Sequence, residues 1–202
     1  RIVVEDFGAG SSLDSSSERR ISDIARHAAK PAKYGRLLYR MIDHFHCGQV
    51  LELGTSLGLS TAYMASPPSV DHITSLEGAE FVAARAKQNL KTLSLTKVEI
   101  ITGNFDITLG QVLKKHPDPD LVFFDGNHRK EPTLRYFRQC LSTADENSIF
   151  VFDDIHWSAE MEEAWREICR DDAVTCSIDL FFVGIVFFRK DFREKQAFRI
   201  RY

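Results

Sequence analysis

The stretch Val50-Leu51-Glu52-Leu53-Gly54-Thr55-Ser56-Leu57-Gly58-Leu59-Ser60-Thr61 decides how the rest of the chain is read. A short apolar run carries an acidic residue near its end, and two glycines, Gly54 and Gly58, then lead into a new helical pattern. That order predicts a strand, a tight loop and a helix. Without a Cβ, Gly54 takes positive φ freely and lets a ligand approach the main chain. The first N–H groups of a following helix have no intrahelical partner and point at whatever binds there. The spacing is not the full G-x-G-x-x-G of a dinucleotide turn, so an ordinary strand-to-helix connection stays as the competing reading.

Outward from this turn the pattern alternates. Apolar runs read as strands near Gln49–Leu53, His72–Leu76, Lys97–Thr102, Leu121–Asp125, Ile149–Asp153, Val174–Ser177 and Leu180–Phe188. Helical periodicity falls between them, near Leu59–Ala65, Glu80–Leu93, Phe105–Lys115, Lys130–Leu141 and Ala159–Cys169. Strands apolar on both faces and separated by helices predict an α/β protein with a mostly parallel sheet covered on both sides. The last two runs are too close for a crossover helix and predict an antiparallel hairpin.

Two extra helices are expected before the sheet. One begins near Glu18, with Ile21, Ile24, Ala25 and Ala28 on one face, and stops at Pro31. The second carries Tyr34, Leu37, Leu38, Met41, Ile42 and Phe45 as a core stripe. Glu5-Asp6-Phe7-Gly8-Ala9-Gly10 imitates a second glycine turn, but polar Asp14-Ser15-Ser16-Ser17 follows and offers no helix. It reads as a flexible loop able to fold over a site. The expected organisation is an N-terminal loop and helices over 1–48 on the substrate side, a core over 49–190, and a C-terminal arm over 191–202.

With 202 residues, 44% hydrophobic and 27% charged, the chain can bury a core without staples. A formal net charge of −3 gives no electrostatic reason to expect nucleic acid or an anionic membrane surface as partner. Cys47, Cys140, Cys169 and Cys176 make no C-x-x-C pair, which suits free thiols in a reducing, cytoplasmic setting. No apolar run approaches a membrane span.

Ligands of open α/β sheets bind beyond the carboxyl ends of the strands. There the chain places Glu52 and Gly54, then Leu76-Glu77-Gly78, Gly103-Asn104-Phe105, Phe124-Asp125-Gly126-Asn127-His128 and Phe152-Asp153-Asp154. Glu77 follows the glycine turn at the distance from which an acid accepts hydrogen bonds from both hydroxyls of a ribose. Asn104 and Phe105 suit the edge and face of a purine. Asp125, Asp153 and Asp154 would gather beside it, repelling one another unless a cation such as Mg²⁺ sits between them. The alternative is that Asp125 and Asp154 cap the helices that follow. His128, beside these carboxylates, is placed to act as a base, since an imidazole titrates near neutrality. His156 is a weaker candidate for the same role.

These motifs, in this order, resemble those of class I S-adenosylmethionine-dependent methyltransferases, in the small-molecule O-methyltransferase branch of metal-dependent catechol-type and macrolide-sugar enzymes. The resemblance spans about Gln49 to Phe188. It implies a Rossmann-like three-layer αβα sandwich whose seven strands run in the order 3-2-1-4-5-7-6, with the last antiparallel. It implies that Glu52, Gly54, Thr55 and Ser56 hold the amino-acid end of S-adenosylmethionine, with Ser60 reaching its carboxylate. Glu77, with Gly78, would take the ribose, and Asn104 and Phe105 would flank the adenine. Asp125, Asp153 and Asp154 fall where such enzymes bind a divalent cation, and His128 falls where the macrolide-sugar enzymes have a base. Catechol-type enzymes commonly carry Asp-Asn in place of Asp153-Asp154, so the acceptor class is not transferred. The resemblance also leaves a homodimer open.

The expected activity is methyl transfer to a hydroxyl of a small molecule. A nicotinamide-dependent oxidoreductase is the rival enzyme reading, and a non-catalytic S-adenosylmethionine-binding protein is the rival from another class.

Overall fold

Ile2–Val3, Glu18–Arg19 and residues 31–202 are described by the computed structural model. Strands β1 (Ile2–Val3) and β2 (Glu18–Arg19) pair antiparallel. The helix expected to begin near Glu18 does not begin there: Glu18 and Arg19 are extended, their backbone matched to a β-branched pair. The remainder of that expected helix, 20–30, and the loop over 4–17 lie outside the described residues.

Helix α1 (Ala32–Phe45) follows Pro31 and buries Tyr34, Leu38, Met41 and Ile42, the heart of its expected stripe. Phe45, the last member, is exposed and rests its ring 5.8 Å from that of Phe187. His46 ends the helix in the left-handed region, its N–H donating to Asp43 O while Cys47 N donates to Ile42 O at 3.0 Å.

The chain then alternates through β3 (Gln49–Leu53), α2 (Leu59–Ala65), β4 (His72–Glu77), α3 (Glu80–Thr92), β5 (Val98–Thr102) and α4 (Phe105–Lys115). It continues through β6 (Leu121–Phe124), α5 (Lys130–Leu141), β7 (Ile149–Asp153) and α6 (Ala159–Arg170). Strands β8 (Cys176–Asp179), β9 (Val183–Phe187) and β10 (Gln196–Arg199) close it. The sheet runs β10-β8-β9-β7-β6-β3-β4-β5. Counted from β3, this is the expected order 3-2-1-4-5-7-6 with an eighth strand added beside β8. Only β9 is antiparallel to its neighbours in this sheet; β10 pairs parallel with β8.

The terminal hairpin is present, but its turn sits later than the apolar pattern suggested. Leu180, Phe181 and Phe182 form the bend, with Leu180 N donating to Val183 O and Phe181 N to the Asp179 carboxylate. Phe181 takes a φ of 73°, and both phenylalanines stand exposed at the carboxyl rim of the sheet.

Helices cover both faces. On one, α4, α5 and α6 press Leu109, Phe137 and Trp165 onto Leu53, Phe124, Phe150 and Phe152. On the other, α1 and α2 cover Val50, Ile73, Phe123 and Val151, while α3 packs Ala83, Ala86 and Leu90 against Ile100 of β5. Caps set two of the helix starts: the Asn104 side chain accepts from Asp106 N, and that of Ser158 accepts from Met161 N. No described helix is long and apolar enough to cross a membrane.

Phe152 is 1% exposed and stacks on Phe124 with centroids 4.4 Å apart and planes within 8°. Phe152→Ala is expected to cost about 3–5 kcal/mol of stability, read from the urea midpoint at constant slope.

Candidate cofactor and acceptor site

Strand β3 lies between β4 and β6, the point where successive connections depart in opposite directions. As the chain leaves it, Gly54 N and Thr55 N both donate to Leu76 O at the end of β4, 2.9 and 3.1 Å away. Gly54 has a φ of 109°, and a Cβ there would lie 2.2 Å from the carbonyl oxygen of Asp125. Only glycine turns here without collision. Ser56, Leu57 and Gly58 complete the loop, and Ser60 lies in the first turn of α2.

Glu52 sits beneath this turn with no exposure to solvent. Its Oε2 accepts from Thr61 Oγ1 at 2.6 Å and Ser75 Oγ at 2.5 Å, and Ser75 Oγ also meets Thr55 Oγ1. Its Oε1 is buried and has no hydrogen-bond partner among the described residues. Burial pushes the carboxyl from 4.5 up to about 7, against the two hydroxyl bonds that favour its charge, with Glu77 adding to the rise.

Glu77, at the end of β4, is held by two backbone donors: Ser56 N to Oε2 at 2.8 Å and Ala79 N to Oε1 at 3.0 Å. These contacts tie the acid to the glycine loop on one side and, through Gly78, to the start of α3 on the other. Asn104 caps α4 with its side-chain oxygen, 2.9 Å from Asp106 N. Phe105 sits edge-on to Tyr136 at 5.9 Å and crosses Gly126, where an added Cβ would come within 2.6 Å of its ring. Thus Phe105 reaches the loop after β6 because Gly126 has no side chain.

Asp125 N donates to Leu53 O at 2.8 Å, and the Asp125 carboxylate lies 3.7 Å from His128 Nε2. Asp153, the last residue of β7, is 1% exposed. Asp154 turns into the left-handed region with its N–H donating to Phe182 O. The N-cap positions of the helices that follow are filled by Arg129 and Ser158, so neither Asp125 nor Asp154 serves as a cap. The three carboxylates therefore stand at the ends of adjacent strands. They are not among the described residues whose ligand atoms all come within 4.8 Å of one another; His72, Glu99 and His116 are. His156 is locked between Glu162 and Asp179 at 3.2 and 3.1 Å, an arrangement that suits a structural ion pair.

Two features of the site were not read from the sequence. The hydroxyls of Thr61 and Ser75 converge on Glu52 from two elements, with Thr55 bonded to Ser75 behind them, which no local spacing reveals. Trp157, Phe181 and Phe182 are exposed around Asp154, with Phe181 stacked on His156 at 5.4 Å. Phe181 and Phe182 were hidden in an apolar run that read as buried strand.

A glycine turn at the switch point, an acid at the end of the next strand and a terminal antiparallel hairpin define the Rossmann-like methyltransferase fold. Residues 51–155, just over half the chain, match the family described as a methyltransferase domain. The chain belongs to that family. A catechol O-methyltransferase of Niastella koreensis is 31% identical over 124 residues, which span 60% of this chain and 55% of that protein. This chain thus matches about half the length of that curated relative. An O-methyltransferase of Bacillus cereus, solved in complex with SAH, superposes with a TM-score of 0.67 at 18% identity, over 83% of this chain and 88% of the other. The O-methyltransferase TomG of Streptomyces achromogenes, involved in tomaymycin synthesis and solved with SAM, gives 0.69 at 21% identity, over 88% and 93%. At these identities the superpositions show a common fold.

The Glu52 shift has a definite sign. The fold holds this proton more tightly than the unfolded chain does, so the stability it contributes is present below pH 4.5 and lost as pH rises through about 7. Wild type should lose about 3 kcal/mol from this group across that window, and Glu52→Gln should flatten the dependence. Urea unfolding of both proteins at several pH values checks this; parallel profiles would refute it.

Proposed function

We propose that this protein is an S-adenosylmethionine-dependent methyltransferase that methylates a hydroxyl of a small molecule. The observation that carries the reading is the anchored Glu77 carboxylate beside a turn that only Gly54 can make. A carboxylate oxygen accepts more than one hydrogen bond, so anchoring by Ser56 N and Ala79 N leaves Glu77 able to receive ribose hydroxyls. Asn104 and Phe105 would border the adenine. The turn through Gly54, Thr55 and Ser56 would carry the amino-acid end, with Ser60 toward its carboxylate. Glu52 supports the same placement, since a buried carboxylate oxygen with no partner among the described residues suits a cationic ammonium group.

When bound, the cofactor would supply a methyl group on a sulfonium, already activated toward transfer. The work left to the chain is orientation and removal of a proton. His128, braced by Asp125, would take the acceptor hydroxyl proton. The carboxylates of Asp125, Asp153 and Asp154 are hard oxygen donors that match Mg²⁺ rather than zinc, and a cation held there would lower the pKa of the acceptor oxygen. The exposed rings of Trp157, whose backbone N–H donates to Asp154 O, and of Phe181, stacked on His156, suit a small planar acceptor. Four free thiols, Cys47 among them pushed up to about 12 by burial, suit a reducing compartment such as the cytoplasm.

Calorimetric titration of S-adenosylmethionine into wild type and Glu77→Ala tests the core of this reading. The variant is expected to bind more weakly by about 150-fold or more, the equivalent of two lost charge-assisted hydrogen bonds at about 1.5 kcal/mol each. No binding to wild type, or preferential binding of NAD, would overturn it. With an accepted hydroxylated substrate, His128→Ala should lower kcat by about 10²–10⁴ with little change in cofactor affinity.

A further inference from the structure

We propose that His72, Glu99 and His116 form a zinc-binding site at the opposite end of the sheet from the cofactor turn, where the ion clasps elements together and takes no part in methyl transfer. His72 opens β4, Glu99 lies in the first half of the neighbouring strand β5, and His116 directly follows α4. All three therefore belong to the amino ends of the strands and to the helix end that returns to them. One donor atom from each lies within 4.8 Å of the other two. The imidazole rings stack with centroids 5.3 Å apart at 26°, and His72 Nε2 is 3.6 Å from the Glu99 carboxylate.

The observation that points to a ligand is the state of the two rings. Nε2 of His72 and Nε2 of His116 are both buried, and neither has a hydrogen-bond partner among the described residues. Buried polar atoms are nearly always paired, and two orphaned ring nitrogens next to one carboxylate call for a shared partner. A divalent cation supplies one to both.

Donor chemistry selects the ion. Two imidazoles and one carboxylate suit zinc, whereas Mg²⁺ and Ca²⁺ demand oxygen. Zinc bonds of about 2.0–2.1 Å would place tetrahedral donors about 3.3 Å apart, so the side chains must close modestly, with water as fourth ligand. Lys115 Nζ lies 3.5 Å from the Glu99 carboxylate. Its side chain is 63% exposed, and an ion pair of that kind is weak enough to give way to a cation. A cavity of about 180 Å³, lined by Thr74, Val112, Lys115 and His116, opens beside the site and gives an entry path.

Bound zinc would tie the edge strand β5 to β4 and fasten the carboxyl end of α4 against both. The site shares no residue with the proposed cofactor or Mg²⁺ positions, so its test is independent of the methyltransferase reading.

The full chain, freed of metal with a chelator and exchanged into chelator-free buffer, is titrated calorimetrically with Zn²⁺ and separately with Mg²⁺. One equivalent of Zn²⁺ is expected to bind and to raise the thermal midpoint. His72→Ala and His116→Ala should each weaken that event by about 100-fold or more, and Glu99→Gln by about tenfold. Asp125→Asn should leave it unchanged, and Mg²⁺ should produce no heat that His72→Ala removes. Circular dichroism at the working temperature shows that each variant is folded before titration, and His116→Gln replaces any alanine variant that is not. Absence of a one-to-one Zn²⁺ event, or an event that persists in the folded histidine variants, would overturn the proposal.

Discussion

One close approach sets the geometry of the molecule: the backbone of Gly54 passes the carbonyl of Asp125 at a distance no side chain tolerates. Strand β3 has β4 on one side and β6 on the other, and the chain must climb out between their ends. It does so by giving both the Gly54 and Thr55 N–H groups to Leu76 O, while Asp125 N bonds back to Leu53 O. Three strand ends are thereby laced through main-chain atoms alone. Everything placed at the carboxyl rim, from Glu77 to His128, inherits its position from that lacing.

Beneath it lies a polar knot in an otherwise apolar interior. Glu52, Thr55, Thr61 and Ser75 are all buried, and they join β3, the glycine loop, α2 and β4. A buried carboxyl is costly to leave incompletely satisfied, which is why such a group favours its neutral form until a cation or donor arrives. The knot therefore couples fold to ligand: the same atom that weakens the empty protein at alkaline pH would strengthen the one with an ammonium in place. A core of leucines in this position would give a more stable protein with nothing to offer a charged group.

The sheet was legible in the sequence because its central strands are buried on both faces. Runs such as Leu121–Phe124 and Ile149–Asp153 have almost no polar member to confuse their reading. The glycine turn and Glu77 were legible through spacing, and Asn104 through its small-residue neighbourhood. What escaped was whatever depends on several elements at once. The unpaired Oε1 of Glu52 and the His72–Glu99–His116 group need the packed structure to be seen. The bend at Leu180–Phe182 escaped for the opposite reason: its residues are apolar, but Asp179 fixes the turn locally and turns the phenylalanines outward. Glu18–Arg19 likewise pair as a strand where the local pattern favoured helix.

The eighth strand alters what the sheet offers to other chains. An uncovered β8 would present a row of unpaired backbone groups, the usual template for edge-to-edge association. Gln196–Arg199 occupies that row, with Gln196 N bonded to Thr175 O and Ile200 N to Asp179 O, and Arg199 paired with Asp179. The opposite edge at β5 is guarded differently, by Glu99 and its neighbour Lys115 rather than by a further strand. The two margins of one sheet thus resist polymerisation by separate means, one by ending in a short strand, Gln196–Arg199, and the other by charge.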